Sequence, residues 1–395
     1  MIYFFFIFET LLLFPLMVLA TEVILAFCTR NIIKPSVAAV VPKPEKSFVV
    51  LIPAHNEERG IQTCLFQLEA VNRYNGRLLV VADNCSDQTA DIAKQHGAMV
   101  VERVDVNRKG KGYALQFGMD ALQHQPPETV VILDADCSIT PAELFQLVAE
   151  SQNANQIVQS RYLMHAPTDG GLGSKISEFA WLLKTYVRPL GTSRLMGCAQ
   201  LLGSGMAFPW HVLNAQSLAS GHVVEDLKLT MELAEQGIHV KFFPQAVVHS
   251  DFPAMDQARM QQSSRWEHGH LQMALTEVPK LFFKSLLKRQ PKGMLLALDI
   301  LVLPLSLFAV LLAGGTLCSL LLHVWVDISF VFFYANLLYL ALFIAVIAIA
   351  WKEFGTHILT GKGVLQIPFF VLKKLNIYKR FITNREKKWI RTDRS

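Results

Sequence analysis

The chain has 395 residues, 52% of them hydrophobic and 17% charged, with a formal net charge of +5 and a mean hydropathy of +0.33. That balance is too apolar for an ordinary soluble protein and excludes a disordered or collagen-like chain, yet it leaves room for a catalytic domain of about 200 to 250 residues beside a few membrane-crossing helices. From Lys373 onward nine Lys/Arg face only Glu386 and Asp393, so the rest of the chain is slightly acidic; the six cysteines (Cys28, Cys64, Cys85, Cys137, Cys198, Cys318) show neither CxxC pairs nor short even spacing, which suggests reduced thiols rather than a zinc site or disulfide framework.

In chain order, residues 1–27 form an apolar block long enough to span a bilayer, with Glu9 and Glu22 near its ends, where they escape most of the cost of a charge at the centre. A signal peptide is the rival reading, but the block lacks a basic leader and Phe27 before Cys28 spoils the cleavage site, so an uncleaved anchor is expected. Residues 44–272 alternate strand-like runs with helical periodicity, which implies an α/β core. The clearest strands are residues 47–53, 77–82, 98–104 and 128–136, with helix-compatible stretches such as KGYALQFGMDAL between them. Residues 273–293 place Leu281, Phe282, Phe283, Leu286 and Leu287 among lysines, as an interfacial helix would. Two further apolar blocks, 294–323 and 329–351, flank Asp327 and read as a membrane hairpin, with Asp299 the only obvious internal acid. A basic tail, 352–395, closes the chain; nucleic acid is the rival partner for it, but its closeness to a span favours lipid head groups. Arg30, Lys34, Lys284, Lys288, Arg289, Lys292 and Lys352 flank the blocks, so the positive-inside rule predicts a multi-pass inner-membrane protein with a cytoplasmic catalytic domain.

In open α/β sheets ligands bind at the carboxyl ends of strands. Polar groups concentrate there: Ala54-His55-Asn56-Glu57, then Asp83-Asn84 and Asp87, then Asp134-Ala135-Asp136. A DxD at a strand end suits a hard cation such as Mg²⁺ or Mn²⁺, which takes oxygen ligands and bridges phosphates. Neither GxGxxG nor a Walker A sequence is present, so the dinucleotide and P-loop readings lack their phosphate cradles. Further on come Gly203-Ser204-Gly205, Glu225-Asp226 and Gln262-Ser263-Ser264-Arg265-Trp266.

Together these motifs, in this order over roughly residues 47–272, resemble a family 2 glycosyltransferase with the GT-A fold, in the membrane-associated branch of cellulose, hyaluronan and poly-N-acetylglucosamine synthases and ceramide glucosyltransferase. The resemblance rests on PAHNE at 53–57, Asp83, KGKGYAL at 109–115, DAD at 134–136, GSG at 203–205, ED at 225–226 and QxxRW at 262–266. It implies that Pro53, Ala54, His55, Asn56, Glu57 and Asp83 hold the uracil and ribose of a UDP-sugar, with Lys111 nearby. Asp134 would help hold the nucleotide, and Asp134 and Asp136 the Mg²⁺ or Mn²⁺ that neutralises the departing diphosphate. Glu225 and Asp226 would be the catalytic pair, Asp226 as general base for an inverting attack by the acceptor hydroxyl. Gly203, Ser204, Gly205, Gln262 and Trp266 would line the acceptor side, with Arg265 near the pyrophosphate.

Each of these has a plainer rival. Arg265 and Trp266 also suit an interface helix, as a snorkelling cation and a headgroup-level aromatic. Glu225-Asp226 could simply open a helix that ends at Gly237. His55 and His249 read first as hydrogen-bonded structural residues, although His249 could approach the metal or nucleotide, and Cys137 reads as packing. The expected activity is transfer of a sugar from a nucleotide donor to a polysaccharide or lipid-linked acceptor at the membrane, with an oligomer or synthase partners possible and no nucleic-acid role. A non-catalytic nucleotide-sugar binding or assembly subunit is the alternative. QxxRW does not settle processivity, and no FxVTxK gating motif follows the hairpin.

Overall fold

The computed structural model describes residues 2–30, 43–326 and 329–383; Lys34, Asp327 and the last part of the basic tail lie outside the described residues. The chain folds into two compact units that exchange it several times. One unit takes the N-terminal stretch to Arg30, Ala166–Met196 and the chain from Ala254; the other takes the segment ending at His165 and Gly197–Pro253.

The second unit is built on a seven-stranded sheet. Its strands are β1 (Phe48–Ala54), β2 (Gly76–Asp83), β3 (Met99–Arg103), β4 (Thr129–Ile132), β5 (Ile157–His165), β6 (Met206–Pro209) and β7 (Val240–Asp251), in the order β3-β2-β1-β4-β6-β5-β7. β1, β2 and β4 are continuous runs of Val, Leu and Ile buried almost without alternation, the pattern of strands covered on both faces. Such residues are stiff at χ1 and fit the pleated surface. The Lys111–Leu122 helix covers this part, with Ala114, Leu115, Met119 and Leu122 in the same core cluster as Leu51, Leu79 and Val81. Truncating a residue such as Leu51, fully buried, would cost about 2–5 kcal/mol.

Two details depart from the sequence reading. The expected strand 128–136 stops at Ile132, which leaves residues 133–136 as a turn and puts both aspartates beyond the strand end. The sheet is also mixed: β6 runs antiparallel to both β4 and β5, whereas β5 and β7 are parallel. β5 and β6 escaped the reading because IVQSRYLMH buries Gln159 and Ser160 completely, so polarity does not mark its faces, and β6 has only four residues.

The first unit is helical. Three of its helices are long and apolar enough to cross a bilayer: Phe6–Thr29, Leu305–Val326 and Val331–Gly355. The block expected as one span at 294–323 is divided into the Pro291–Ile300 helix and the Leu305–Val326 helix. Pro304 accounts for the break, because it has no N–H to donate and pushes the residue before it out of helical conformation. Asp299 therefore lies outside the helix that is long enough to cross a bilayer. The expected interfacial segment contains the end of the Asp256–Thr276 helix and the Val278–Leu287 helix. In the latter Leu281 is fully buried, whereas Phe283, Leu286 and Leu287 are exposed. Both acids of the N-terminal helix find partners within this unit: Asn336 donates to Glu9, and Arg188 donates to Glu22 at 2.6 Å and to Asp299 at 2.5 Å.

Candidate active site

The sheet unit brings three strand ends together. After β1, Asn56 takes a left-handed conformation (φ 55°), which turns its carboxamide oxygen towards the next strand end, where it accepts from the Ser86 N–H at 2.7 Å. The Glu57 N–H donates to Thr89 Oγ1 at 2.8 Å, and His55 Nδ1 lies 2.6 Å from the Asp83 carbonyl oxygen. Pro53 and Ala54 are the last residues of β1 and pair in register with Val81 and Ala82. The PAHNE turn and the Asp83 turn are thus laced into one rigid edge.

Asp83 ends β2 and is 5% exposed. Arg103, at the end of β3, donates to its Oδ1 at 2.6 Å, and the Asn84 amide donates to the same oxygen at 3.0 Å. Arg103 also donates to the Arg108 carbonyl at 2.8 Å and pairs with Asp105 at 3.2 Å. The sequence reading missed Arg103; its signal was a cation closing an apolar strand next to β2, which ends in the acid Asp83.

Beyond β4 stands the centre of the site. Lys111, first residue of its helix, extends to Asp134, with Nζ 2.5 Å from Oδ1, donates to the Gly203 carbonyl at 2.8 Å and lies 3.9 Å from Glu225 Oε1. Burial opposes its charge, but Asp134 and Glu225 outweigh that and hold its pKa above the ordinary lysine value. The Asp134 N–H donates to Ser204 Oγ at 3.1 Å. Gly203 (φ 90°) and Gly205 (φ 67°) take backbone conformations that side chains rarely adopt, and a Cβ at Gly203 would stand 3.4 Å from Asp226 Oδ2. Glu225 and Asp226 open the Glu225–Glu235 helix. Glu225 is pushed up to about 7 by burial and by Asp226, with Lys111 opposing. The Asp226 Oδ1 accepts its own helix's Leu227 N–H at 2.8 Å. GSG, Lys111, Asp134 and the ED pair therefore form one constellation.

Asp134, Asp136 and Cys137 offer ligand atoms all within 4.8 Å of one another. Two carboxylates suit a hard divalent cation. Cys137 does not: burial and then Asp134 push its thiol up to about 12, and the sulfur is hydrogen-bonded to Tyr162 and Ser204, so it packs as the sequence suggested. Asp136 accepts from Ser250 Oγ at 3.0 Å. With Lys111 balancing Asp134, Asp136 is the better placed of the two to hold a cation. His249, on β7, exchanges backbone hydrogen bonds with Ser138 at 2.8 Å in each direction, and its Nδ1 lies 2.8 Å from Nε2 of His165, against whose ring it stacks. Burial, and then His165, lower its pKa. These contacts fix the His249 ring beside the DAD turn.

Gln262, Arg265 and Trp266 fall in the helical unit, on the Asp256–Thr276 helix. There Gln262 is buried, and Trp266 lies against Trp181 with ring centroids 4.8 Å apart.

A sequence model described as Glycosyltransferase like family 2 matches residues 44–269. Among curated proteins, the probable glycosyltransferase YdaM of Bacillus subtilis is 26% identical over 254 residues, 61% of this chain and 59% of its own length. An undecaprenyl-phosphate 4-deoxy-4-formamido-L-arabinose transferase of Pseudomonas fluorescens is 25% identical over 170 residues, 38% of this chain and 49% of its own. The chain thus spans less than two thirds of the length of either relative. Among solved structures, the mannosyltransferase PcManGT of Pyrobaculum calidifontis, in complex with GDP-Man and Mn²⁺, superposes with a TM-score of 0.52 at 17% identity, covering 88% of this chain and 98% of its own. At that identity the likeness is one of fold.

Proposed function

The chain belongs to glycosyltransferase family 2 and carries the GT-A fold, and from that premise we propose that it is an inverting membrane enzyme, which moves a sugar from a nucleotide donor, a UDP-sugar by its motifs, to a polysaccharide or lipid-linked acceptor. The observation that carries this reading is the convergence of Asp83, the Lys111–Asp134 pair, Asp136 and Glu225-Asp226 at the carboxyl edge of β1, β2 and β4. Donor recognition falls to Asp83 and the PAHNE turn, with Arg103 and Asn84 fixing the Asp83 carboxylate so that it can accept from a base N–H. Lys111 sets the pitch of Asp134 through its 2.5 Å contact.

Mg²⁺ or Mn²⁺ held at Asp136 and Asp134 would supply charge neutralisation for the leaving diphosphate. Asp226 is the general base: it stands past the Gly203 backbone, where the absence of a side chain gives an acceptor hydroxyl room to reach the carboxylate. Glu225, pushed up to about 7 by burial, stands beside it and within 3.9 Å of Lys111 Nζ. For Gln262, Arg265 and Trp266 the motif alone carries the acceptor role. The three apolar helices support membrane residence, and the flanking Lys/Arg support a cytoplasmic catalytic unit.

The test is a panel of UDP- and GDP-sugars offered with Mn²⁺ and a bacterial lipid extract to the purified protein in nanodiscs, following nucleotide release and product mass together. Release with a sugar-bearing lipid or a polymer ladder is expected; absence of release with every donor, despite metal-dependent nucleotide binding, would overturn the catalytic reading.

A further inference from the structure

Within the helical unit, a cavity of about 270 Å³ lies between the Asp256–Thr276 helix and the Ile367–Thr383 helix. At roughly 30 Å³ per water, it has room for a phosphate group together with the first part of whatever carries it. Gln257, Gln261 and Ser264 line one side, and Lys373, Asn376 and Arg380 the other, with no acid among the lining residues. The walls are fixed. Lys374 donates to Glu267 at 2.5 Å and to Ser263 at 2.9 Å, Tyr378 donates to Glu267 at 2.5 Å, and His268 Nε2 lies 2.8 Å from the Ile377 carbonyl oxygen.

That clamp consumes the charge of Lys374, whereas Lys373 and Arg380 have no carboxylate partner among the described residues. Two cations seven residues apart share a helix face, beside amide donors, and this combination favours an anion. Depth is set by Ser306, in the first turn of the Leu305–Val326 helix, whose Oγ lies 2.5 Å from Tyr378 OH. The cavity therefore sits at the end of an apolar helix long enough to span. Phe369 and Leu372, 68% and 58% exposed, stand one helical turn from Lys373 and Asn376 respectively, and offer an apolar track beside the polar cavity.

We propose that this cavity binds the phosphodiester of an anionic phospholipid, with the phosphate between Lys373 and Arg380 and an acyl chain along Phe369 and Leu372. The proposal rests on the membrane reading above and gives one of the interface helices a defined lipid ligand rather than diffuse attraction to a charged leaflet. The full chain would be reconstituted in nanodiscs of phosphatidylcholine with and without phosphatidylglycerol, and the phospholipid retained after mild delipidation counted by native mass spectrometry. Retention of one phosphatidylglycerol per chain is expected. Lys373→Gln/Arg380→Gln should weaken it about thirtyfold, the loss expected of two basic residues at an anionic surface. Met260→Trp, which fills the cavity without changing charge, should abolish it. Lys292→Gln/Lys379→Gln, which removes two cations from outside the cavity, should leave it intact. Equal retention in all variants would overturn the site, and so would displacement by millimolar sodium phosphate, which would mark a site for soluble phosphate. Release of the chain from membranes by alkaline carbonate would refute the membrane reading and the site with it; a chain that stays in the membrane yet retains no phosphatidylglycerol refutes the site alone.

Discussion

Asp226 has one carboxylate oxygen engaged by the N–H of Leu227 and the other turned to the Gly203 backbone. Replacing it by Asn keeps the shape and an acceptor oxygen but removes the basic lone pair. Asp226→Asn is therefore expected to leave donor affinity nearly unchanged and to lower turnover at least about 10²-fold, as read by nucleotide-release kinetics; wild-type turnover would remove Asp226 from the base role. Asp136→Ala should instead abolish the difference in UDP affinity between Mn²⁺ and chelator, measured by calorimetry. Glu225 gives a pH signature. Its pKa lies near 7 against an ordinary value of 4.5, so between those values the folded state holds more protons than the unfolded and stability falls as pH rises. Glu225→Gln removes this liability. The variant should melt above the wild type at pH 7 and higher, with the gap closing as the pH falls towards about 4.5; a gap that is constant with pH would show that Glu225 is not titrating there.

At the scale of elements, legibility followed the simplicity of the pattern. β1, β2 and the Lys111–Leu122 helix were plain because an uninterrupted apolar run and a 3.6-residue period each admit one reading. β5 hid because its buried Gln159 is satisfied by donating to the Ser160 and Ser204 carbonyls at 2.9 Å each, an arrangement that only the folded chain provides. The DAD and ED motifs were visible as local text, but the lysine that joins them is 92 residues from the Gly203 carbonyl it contacts, and Arg103 joined the site through strand order rather than spacing. The turn before β6 shows what such closeness requires. Gly205 sits at φ 67°, and a Cβ there would stand 2.6 Å from Val248 Cγ2. Gly205→Ala should cost about 1–3 kcal/mol through backbone strain and overpacking. Gly171→Ala, with open space around it and no positive φ, should stay within about 0.5 kcal/mol. Thermal melts of the two variants side by side check this; equal melting temperatures would show that the turn can relax.

Across the whole molecule, the chain passes through its helical unit three times, and one buried cluster ties those passes together. Arg188, from Ala166–Met196, holds Glu22 of the N-terminal helix through Nε at 2.6 Å and Asp299 of the C-terminal part through Nη2 at 2.5 Å. Glu22 is 1% exposed, Asp299 3% and Arg188 7%. Beside them, a side chain at Gly191 would collide with the backbone of Glu22, so the two helices meet at close range. Burying three charges gains little over an apolar core of the same shape, because desolvation offsets most of their attraction, but removing one partner leaves the others uncompensated. Arg188→Met alone should therefore destabilise the protein by about 3–5 kcal/mol, whereas Glu22→Leu/Arg188→Met/Asp299→Leu should recover most of that loss. Thermal unfolding in a fixed detergent would compare the two. Recovery by the triple variant would show that the charges specify how the passes align more than they hold them together, and a triple variant as weak as the single one would show that the ion pairs themselves carry the stability of this unit.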